Sequence, residues 1–379
     1  MGAALQARHK AAATPGEYAA FNDSGEMLAL RTACGTFGAA CVSILFFAFF
    51  VQMGIVLLRL YTRKETGKAS VPKPDPAKRT VRHLGIIMDG NRRFGQKHST
   101  RHAEPDAAVL KTLCTELCSP EAALVYNGNK EQASWLATRY NRFMKLIEHT
   151  TFDGHRNGGE KLLEVLSHCI DANVDMVTAY AFSTDNWQRP AAEVDSLMSL
   201  FFFFFDRIRK VALDKHIFVR FISTELDRLP ARVVELMQTV EVESRAIQPR
   251  RLTLNICVSY SGQSEVVAAC NRILARRLCS CGPSLATPVT REEMNHEMLR
   301  SITQDDYEEQ DKLVFTNGVS AEPELILRTS GEQRVSNFLL YECAYSEFAF
   351  FKKTWPEFTR EDLLEALDGY ASRDKRRGK

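Results

Sequence analysis

The sequence predicts an α/β domain with a mostly parallel sheet flanked by helices, preceded by one transmembrane helix. From residue 81 onward, short apolar segments alternate with longer helical ones, as expected for parallel strands joined by crossover helices. Before that, an apolar segment of about twenty residues is long enough to cross a bilayer. The predicted strands are 84–88, 174–181, 217–222, 252–260 and 325–328, and the predicted helices are 159–172, 191–215, 230–246, 265–278 and 360–372.

Composition places the chain among globular proteins. Hydrophobic residues make up 45% and charged residues 25% of its 379 residues, which excludes a disordered, collagen-like or low-complexity chain. Lysine and arginine total 49 against 47 aspartates and glutamates. This balance argues against a nucleic-acid partner but allows small basic pockets.

The ten cysteines show no CxxC spacing, and we interpret them as reduced thiols in a protein that faces the cytosol.

The N-terminal part divides into a polar segment at 1–38, a transmembrane helix at 39–58 and a basic, proline-rich linker at 59–80. No charge occurs between Arg31 and Arg59, and more basic residues follow the apolar segment than precede it. The positive-inside rule therefore places the folded domain, 81–379, in the cytosol. A buried core helix is the alternative. We expect a single-pass anchor, with the endoplasmic reticulum membrane favoured.

Polar and basic groups follow the first predicted strand, in the segment MDGNRRF at 88–94. Asp89 is a suitable ligand for Mg²⁺, Gly90 allows backbone N–H groups to approach an anion, and Arg93 can bind a phosphate in two places. Asp-Gly-Asn is equally good turn chemistry, so a plain turn is the alternative for this segment alone.

Two further strand ends carry similar groups. The segment YAFSTDNWQRP occupies 180–190, and LRTSGEQRVSN occupies 327–337. Ligands in open α/β sheets bind beyond the carboxyl ends of the strands. Three such ends rich in arginine, amide and hydroxyl groups predict a Mg²⁺-dependent site for diphosphate groups.

Five consecutive phenylalanines, Phe201–Phe205, make the helix at 191–215 apolar around most of its circumference. Such a helix packs in a dense core or lines an internal apolar cavity. A cavity beside a diphosphate site would suit a long hydrocarbon attached to a diphosphate.

Six segments together resemble the cis-prenyltransferase family, which includes undecaprenyl and dehydrodolichyl diphosphate synthases. They are HLGIIMDGNRRF, GHRNGGEKL, YAFSTDNWQRPAAEVDSLM, LTLNICVSYSG, RTSGEQRVSNFLLYECAYSEF and WPEFTREDLLEAL. The resemblance implies the cis-prenyltransferase fold with an apolar tunnel. It also implies condensation of isopentenyl diphosphate with an allylic diphosphate, expected to be farnesyl diphosphate. The expected product is long-chain dehydrodolichyl diphosphate for dolichol synthesis and protein glycosylation.

The resemblance also assigns residue roles. Catalytic roles fall on Asp89, Asn91, Ser183 and Asn186, and Mg²⁺ binding falls on Asp89 and Glu347. Phe182 and the phenylalanine helix are expected to line the tunnel, with small Ala181 leaving room at its wall. The positions expected to bind substrate are Gly90, Arg92, Arg93, Phe94, His155, Phe182, Thr184, Asp185, Trp187, Arg189, Arg328, Arg334, Val335, Ser336, Arg376 and Gly378.

The C-terminal segment bears on assembly. Arg376 and Gly378 fit the R-x-G pattern that single-subunit members of the family carry, which implies a homodimer whose tail reaches the partner's site. There are two alternatives: a heteromer with an accessory subunit, or a basic tail that is only solvated.

Two rival functions were weighed against an active synthase. A non-catalytic accessory subunit typically lacks the Asp-Gly-Asn segment, which is present here. A Mg²⁺-dependent phosphohydrolase needs another carboxylate near Asp89, and the sequence shows none.

The chain departs from the family pattern in several places. Arg92 and Phe94 replace the glycine and tryptophan of bacterial members, and Thr151 stands where an arginine is usual. An insertion at about 99–151 contains two helical apolar stripes. The insertion could serve as a lid, a membrane contact or a partner site, or it could have no function. The acidic run DDYEE at 305–309 resembles a metal motif of trans-prenyltransferases, but we interpret it as solvated.

Overall fold

The computed structural model describes residues 81–99, 106–117, 130–279, 287–303 and 319–373. The predicted polar segment, transmembrane helix and linker lie outside these residues, as do Arg376, Gly378 and the acidic run at 305–309. Within the described part of the chain, no helix has both the length and the hydropathy to cross a membrane.

The centre of the described part of the fold is a six-stranded sheet. Its strands are β1 His83–Ile87, β2 Met176–Ser183, β3 Ile217–Ile222, β4 Leu252–Tyr260, β5 Leu325–Arg328 and β6 Glu347–Phe350. Every neighbouring pair is parallel, in the order β3-β4-β2-β1-β5-β6. β1, β3, β4 and β5 are buried along their whole length because helices cover both faces of the sheet.

The described helices flank this sheet and include every helix expected from the sequence. They are α1 Asn91–His98, α2 Ala107–Leu117, α3 Lys130–Ile147, α4 Asp153–Asp171, α5 Ala191–Lys215, α6 Ala231–Arg245, α7 Gly262–Cys279, α8 Arg291–Glu297 and α9 Arg360–Ala371. The 25-residue helix α5 carries the five phenylalanines, and its bounds agree with the prediction.

The structure corrects some predicted boundaries. The helix expected to begin at 159 begins at Asp153, and the segment after β1 forms α1. Strand β6 was not predicted, because its apolar residues, Phe348–Phe350, form too short a run to distinguish a strand, and they lie half-buried or exposed at the sheet edge. α1 is short and polar, so it also lacks the stripe that marks a helix in sequence.

The two predicted stripes of the insertion form α2 and α3, which pack on each other. α2 also packs against α5 through the buried side chains of Leu110, Leu113 and Leu117. Phe143 and Ile147 of α3 are fully buried in the same core. The insertion is therefore an integral part of the helical layer that covers the phenylalanine helix.

Candidate active site

The carboxyl ends of the two central strands place Asp89 and Ser183 at one edge of the sheet. Ile87, the last residue of β1, pairs with Tyr180 of β2, and β2 continues for three residues to Ser183, so Asp89 and Ser183 come at nearly the same level. Parallel topology brings all strand ends of this kind to a common edge. A pocket opens at that edge, and the residues that line it come from β1, α1, α4, β2, α5 and β5 with the loop that follows it.

Asp89 is held through its backbone and its side chain. Its carbonyl oxygen accepts hydrogen bonds from Thr329 Oγ1 at 2.7 Å and from the Trp355 N–H at 2.9 Å. One carboxylate oxygen, Oδ2, accepts from Arg328 Nη2 at 2.7 Å, and the other lies 3.4 Å from Arg93 Nη2. Because the contact to Arg93 is long, Oδ1 has spare capacity to accept a stronger partner.

Gly90 has a left-handed backbone, with φ of 95°, and no room for a side chain. A Cβ atom there would lie 2.7 Å from Ser330 Oγ and 2.9 Å from Thr354 Cβ. This turn starts α1 directly after Asp89. The first N–H groups of a helix lack intrahelical partners and favour negative charge, so the start of α1 suits a phosphate group.

Arg328 is the buried cation of the pocket, with 5% of its side chain exposed. Besides Asp89, it donates to Ser336 Oγ at 2.8 Å and to the carbonyl oxygen of Arg334. Arg93 is half-exposed and donates to the carbonyl oxygen of Ser330 at 3.1 Å. One guanidinium is therefore fixed at the base of the pocket, and the other lies at its rim.

A buried carboxylate, Glu193, gathers three basic groups beside this pocket. Its oxygens lie 3.0 Å from Arg189 Nη1, 3.5 Å from Arg92 Nη1 and 3.3 Å from His155 Nε2. The contact to His155 has the distance of a hydrogen bond without its ideal alignment. Burial acts to raise the pKa of Glu193, but His155, Arg189 and Arg92 together hold that pKa below its ordinary value. Glu193 therefore stays ionised and anchors the guanidinium groups of Arg189 and Arg92 and the His155 ring.

Asn91 and Ser183 complete the polar surface. The Asn91 side chain lies against Gly158, where a Cβ atom would come within 2.3 Å of Asn91 Oδ1. That oxygen is buried and has no hydrogen-bond partner among the described residues. Across the pocket, Asn186 Oδ1 accepts from the Ser183 N–H at 3.1 Å, which fixes the loop after β2.

An apolar slot continues from the polar pocket. Met88, Asn91, His155, Ala181 and Leu197 line both spaces. The space between the walls of the slot, open mouth included, is about 820 Å³. Its further walls are formed mainly by the glycines of α4 and the aromatic face of α5, namely Gly158, Gly159, Leu162, Leu200, Phe201, Phe203, Phe204 and Phe205.

Most of the site residues predicted from the sequence meet in the polar pocket. Ala181 and the phenylalanine helix border the slot, whereas Phe182, also expected there, is buried and lines only the polar pocket. Glu193 and Thr329 were not predicted as site residues. The i,i+4 spacing of Arg189 and Glu193 could have identified Glu193 from the sequence, because such a spacing allows an ion pair on a helix. The predicted residues that line the polar pocket are Asp89, Gly90, Asn91, Arg92, Arg93, His155, Phe182, Ser183, Asn186, Arg189, Arg328 and Ser336.

Several predicted residues lie around the pocket instead of lining it. Phe94 stacks on His98 at 4.1 Å between ring centroids, and Trp187 donates to Ser259 Oγ at 2.9 Å. The Arg334 side chain is exposed and pairs with Glu332. Thr184, Asp185 and Val335 also lie outside the lining.

Glu347, which was predicted to bind Mg²⁺, does not lie beside Asp89, the other predicted metal ligand, within one chain. Glu347 begins β6 and pairs with Leu325, the first residue of β5, which in turn pairs with Leu84 near the start of β1. It thus lies at the amino edge of the sheet, roughly 16 Å along the strands from the Asp89 level. Its carboxylate instead pairs with Arg373 at 2.7 Å. The position of Glu347 in the sheet could not be inferred from the sequence, because β6 was not predicted.

Arg101, Arg139 and Arg142 are the sequence's candidates to replace the arginine usual at position 151, and neither of the two that the structure describes lines the polar pocket. Arg139 pairs with Glu116 at 2.8 Å, on the contact between α2 and α3, and Arg142 is exposed. Arg101 lies outside the described residues.

Comparison with known proteins agrees with this architecture. The prenyltransferase family model for undecaprenyl diphosphate synthase matches residues 140–378, more than half of the chain. An isoprenyl transferase of Thermotoga maritima is 34% identical over 225 residues, which are 59% of this chain and 86% of that protein. Dehydrodolichyl diphosphate synthase 2 of Arabidopsis thaliana is 33% identical over 294 residues, or 76% of this chain and 84% of that protein.

Among solved structures, lavandulyl diphosphate synthase from Lavandula x intermedia, in complex with dimethylallyl diphosphate, has a similar fold. The TM-score is 0.53 at 23% identity, over 79% of this chain and 99% of that one. The family match, the identity to curated relatives and the shared fold lead to one conclusion: this chain belongs to the cis-prenyltransferase family of prenyl-transferring enzymes.

Proposed function

We propose that this protein condenses isopentenyl diphosphate with an allylic diphosphate, such as farnesyl diphosphate, to make a long-chain polyprenyl diphosphate of the dehydrodolichyl type. The observation that carries the proposal is the continuity between a basic pocket and an apolar slot. The pocket suits the diphosphate and the slot suits the hydrocarbon of one amphiphilic substrate. The likeness to the Arabidopsis synthase favours a dehydrodolichyl product, hence a role in dolichol synthesis and protein glycosylation.

The reaction needs a good leaving group, and the pocket is built to stabilise one. When the allylic C–O bond breaks, its electron pair leaves with the diphosphate. Arg93, Arg328 and the start of α1 offer donors to the negative charge that develops on those oxygens. The double bond of isopentenyl diphosphate attacks the allylic carbon, and loss of a proton forms the new cis double bond. Ser183 and Asn186 line the same pocket, and the departing diphosphate is the base that can accept the proton there.

The residues present fit a magnesium ion. Mg²⁺ prefers one or two carboxylates together with substrate phosphates and water. Asp89 supplies one such carboxylate, so a set of ligands made only of protein side chains is not required. Asp89 would hold the ion against the diphosphate, where Mg²⁺ supplies charge neutralisation of the leaving group.

The location and assembly of the protein belong to the proposal. The apolar segment at 39–58, with basic residues after it, supports a single-pass anchor in the endoplasmic reticulum membrane with the catalytic domain in the cytosol. Arg376 and Gly378 support a homodimer, with a heteromer containing an accessory subunit as the alternative. A purely accessory role is disfavoured because Asp89, Asn186 and Arg328 are all in place.

The test is incorporation of labelled isopentenyl diphosphate by the purified full-length protein in detergent, with farnesyl diphosphate and Mg²⁺. We expect long-chain product that disappears in Asp89→Asn and after chelation of the metal. An Arg376→Ala variant tests the tail, and light scattering reports the oligomeric state. A folded homodimer that forms no product would overturn the proposal of a self-sufficient synthase.

A further inference from the structure

The insertion contributes one side chain to the apolar slot. Tyr140 of α3 lines the slot, and its ring lies 3.9 Å from that of Phe203, measured between centroids. The ring is half-buried, so one face packs on the phenylalanine helix while the residue also borders the open space. The sequence pattern places Tyr140 on the second apolar stripe of the insertion, but the predicted site did not include it.

Helix α3 is firmly positioned, so Tyr140 is a fixed part of the wall. Phe143 and Ile147, on the following turns of α3, are fully buried. Arg139 Nε pairs with Glu116 Oε2 of α2 at 2.8 Å. Arg232 of α6 anchors α2 in turn, by donating to the carbonyl oxygen of Leu117 while its guanidinium lies 3.5 Å over the Phe202 ring. Displacing Tyr140 would therefore disturb several buried contacts.

Tyr140 lies toward the end of the slot that is remote from the diphosphate pocket. α5 begins beside that pocket, where Glu193 contacts His155, and Phe203 is ten residues further along, roughly 15 Å at the α-helical rise. Arg207 is one turn beyond Phe203, and it pairs with Glu160 of α4 at 2.5 Å. This ion pair also borders the slot. An aromatic ring and a half-exposed charged pair therefore lie together at this end of the slot.

We infer that Tyr140 is a specificity-determining residue that restricts the length of the prenyl chain the slot accepts. This inference rests on the proposed function, because it takes the slot to hold the hydrocarbon. A growing chain that fills the aromatic part of the slot meets the Tyr140 ring next to the Glu160–Arg207 pair. Further growth then requires either displacement of that ring or contact with charged groups, both of which cost free energy. The insertion accordingly serves as a wall of the substrate site.

The first test is the product distribution of a series at position 140. Tyr140→Ala removes the ring, and we expect products longer than those of the wild type by at least one isoprene unit. Tyr140→Trp enlarges it, and we expect shorter products. Tyr140→Phe keeps the ring, and Asn141→Ala alters the exposed neighbour, so both should retain the wild-type distribution. Unchanged products in both the alanine and the tryptophan variants would overturn the inference.

A second test does not depend on turnover. Binding of alkyl diphosphates of increasing chain length is measured by calorimetry on the full-length wild type and the Tyr140→Trp variant. We expect at least a tenfold loss of affinity for the longest chains and no change for dimethylallyl diphosphate. Equal effects on short and long chains would contradict a wall at the far end. If the wild type binds the series but forms no product, the proposed reaction fails while this inference is still decided by the binding data.

Discussion

Arg328 Nη2 lies 2.7 Å from Asp89 Oδ2, joining the carboxyl ends of β5 and β1 at the floor of the pocket. Arg328 is nearly buried, whereas about a quarter of the Asp89 side chain is exposed. The same guanidinium also donates to Ser336 Oγ. It therefore orients both the carboxylate and the loop after β5 before any substrate arrives, which lowers the reorganisation needed for binding.

Replacing Arg328 by lysine tests this relationship. A lysine keeps the charge but lacks the planar fork that reaches Asp89 and Ser336 together. We expect kcat/KM for isopentenyl diphosphate to fall roughly 10- to 100-fold, since hydrogen bonds to charged groups contribute about 1.5–3 kcal/mol. Steady-state kinetics would measure the change, with Arg360→Lys on the exposed surface of α9 as the control. Wild-type kinetics in Arg328→Lys would refute an organising role for the fork.

The backbone at Gly90 provides a second prediction. In Gly90→Ala, the methyl group would meet Ser330 and Thr354 in a conformation that L-residues rarely adopt. We expect the free energy of unfolding to fall by about 1–3 kcal/mol and activity to drop, because the turn positions Asp89 and α1 together. Gly369→Ala is the matched control: its Cβ would contact nothing within 4 Å, and alanine favours the α9 helix. The prediction is wrong if Gly90→Ala and Gly369→Ala have the same urea denaturation midpoint and the same activity.

Glu193 is expected to act as a positioning residue. Glu193→Gln keeps the shape of the side chain but removes the charge that anchors His155, Arg189 and Arg92. We expect the KM for the diphosphate substrates to rise roughly tenfold, as one charged contact is weakened, while kcat changes little. Kinetics for each substrate separately would establish the split. A fall in kcat with unchanged KM would instead indicate a direct role in the chemical step.

His83 gives the domain a pH-dependent stability. Burial is the main reason that its pKa falls to about 4, despite an opposing contact with the Ser320 carbonyl. Between about pH 6.5 and 4, the unfolded chain binds a proton here that the folded protein does not, so stability is present above pH 6.5 and lost as the pH falls. The full loss is about 3 kcal/mol.

Urea denaturation between pH 7.5 and 4.5 would measure this effect. We expect the denaturation midpoint to decline with falling pH less steeply in His83→Gln than in the wild type. His98→Gln changes an exposed histidine and should follow the wild-type slope. Parallel slopes for His83→Gln and the wild type would show that this histidine does not contribute.

The sequence predicts the local elements well where one physical signal dominates. The bounds of β3, β4, β5 and α5 agree with the prediction, because each is a clear apolar segment between breaks in the pattern. Asp89, Ser183 and Arg328 were identifiable as site residues because parallel strands must end at one edge. These inferences need only local pattern and a topological rule.

The remaining features depend on contacts between distant residues. The stripe of Phe143 and Ile147 indicates a helix, but not that Tyr140 faces the slot opposite Phe203. Likewise, the sequence around Glu347 does not reveal that β6 starts at the amino edge of the sheet. Both depend on register and packing among segments far apart in the chain, which no local periodicity encodes.

If the basic pocket and the apolar slot form one substrate site, one bound substrate must occupy both. A crystal structure with a non-reactive thio analogue of farnesyl diphosphate and Mg²⁺ tests this directly. We expect the diphosphate to lie among Asp89, Arg93 and Arg328, with the hydrocarbon passing Ala181 toward Phe203 and Tyr140. A hydrocarbon outside the slot, or a diphosphate bound away from Asp89, would contradict it.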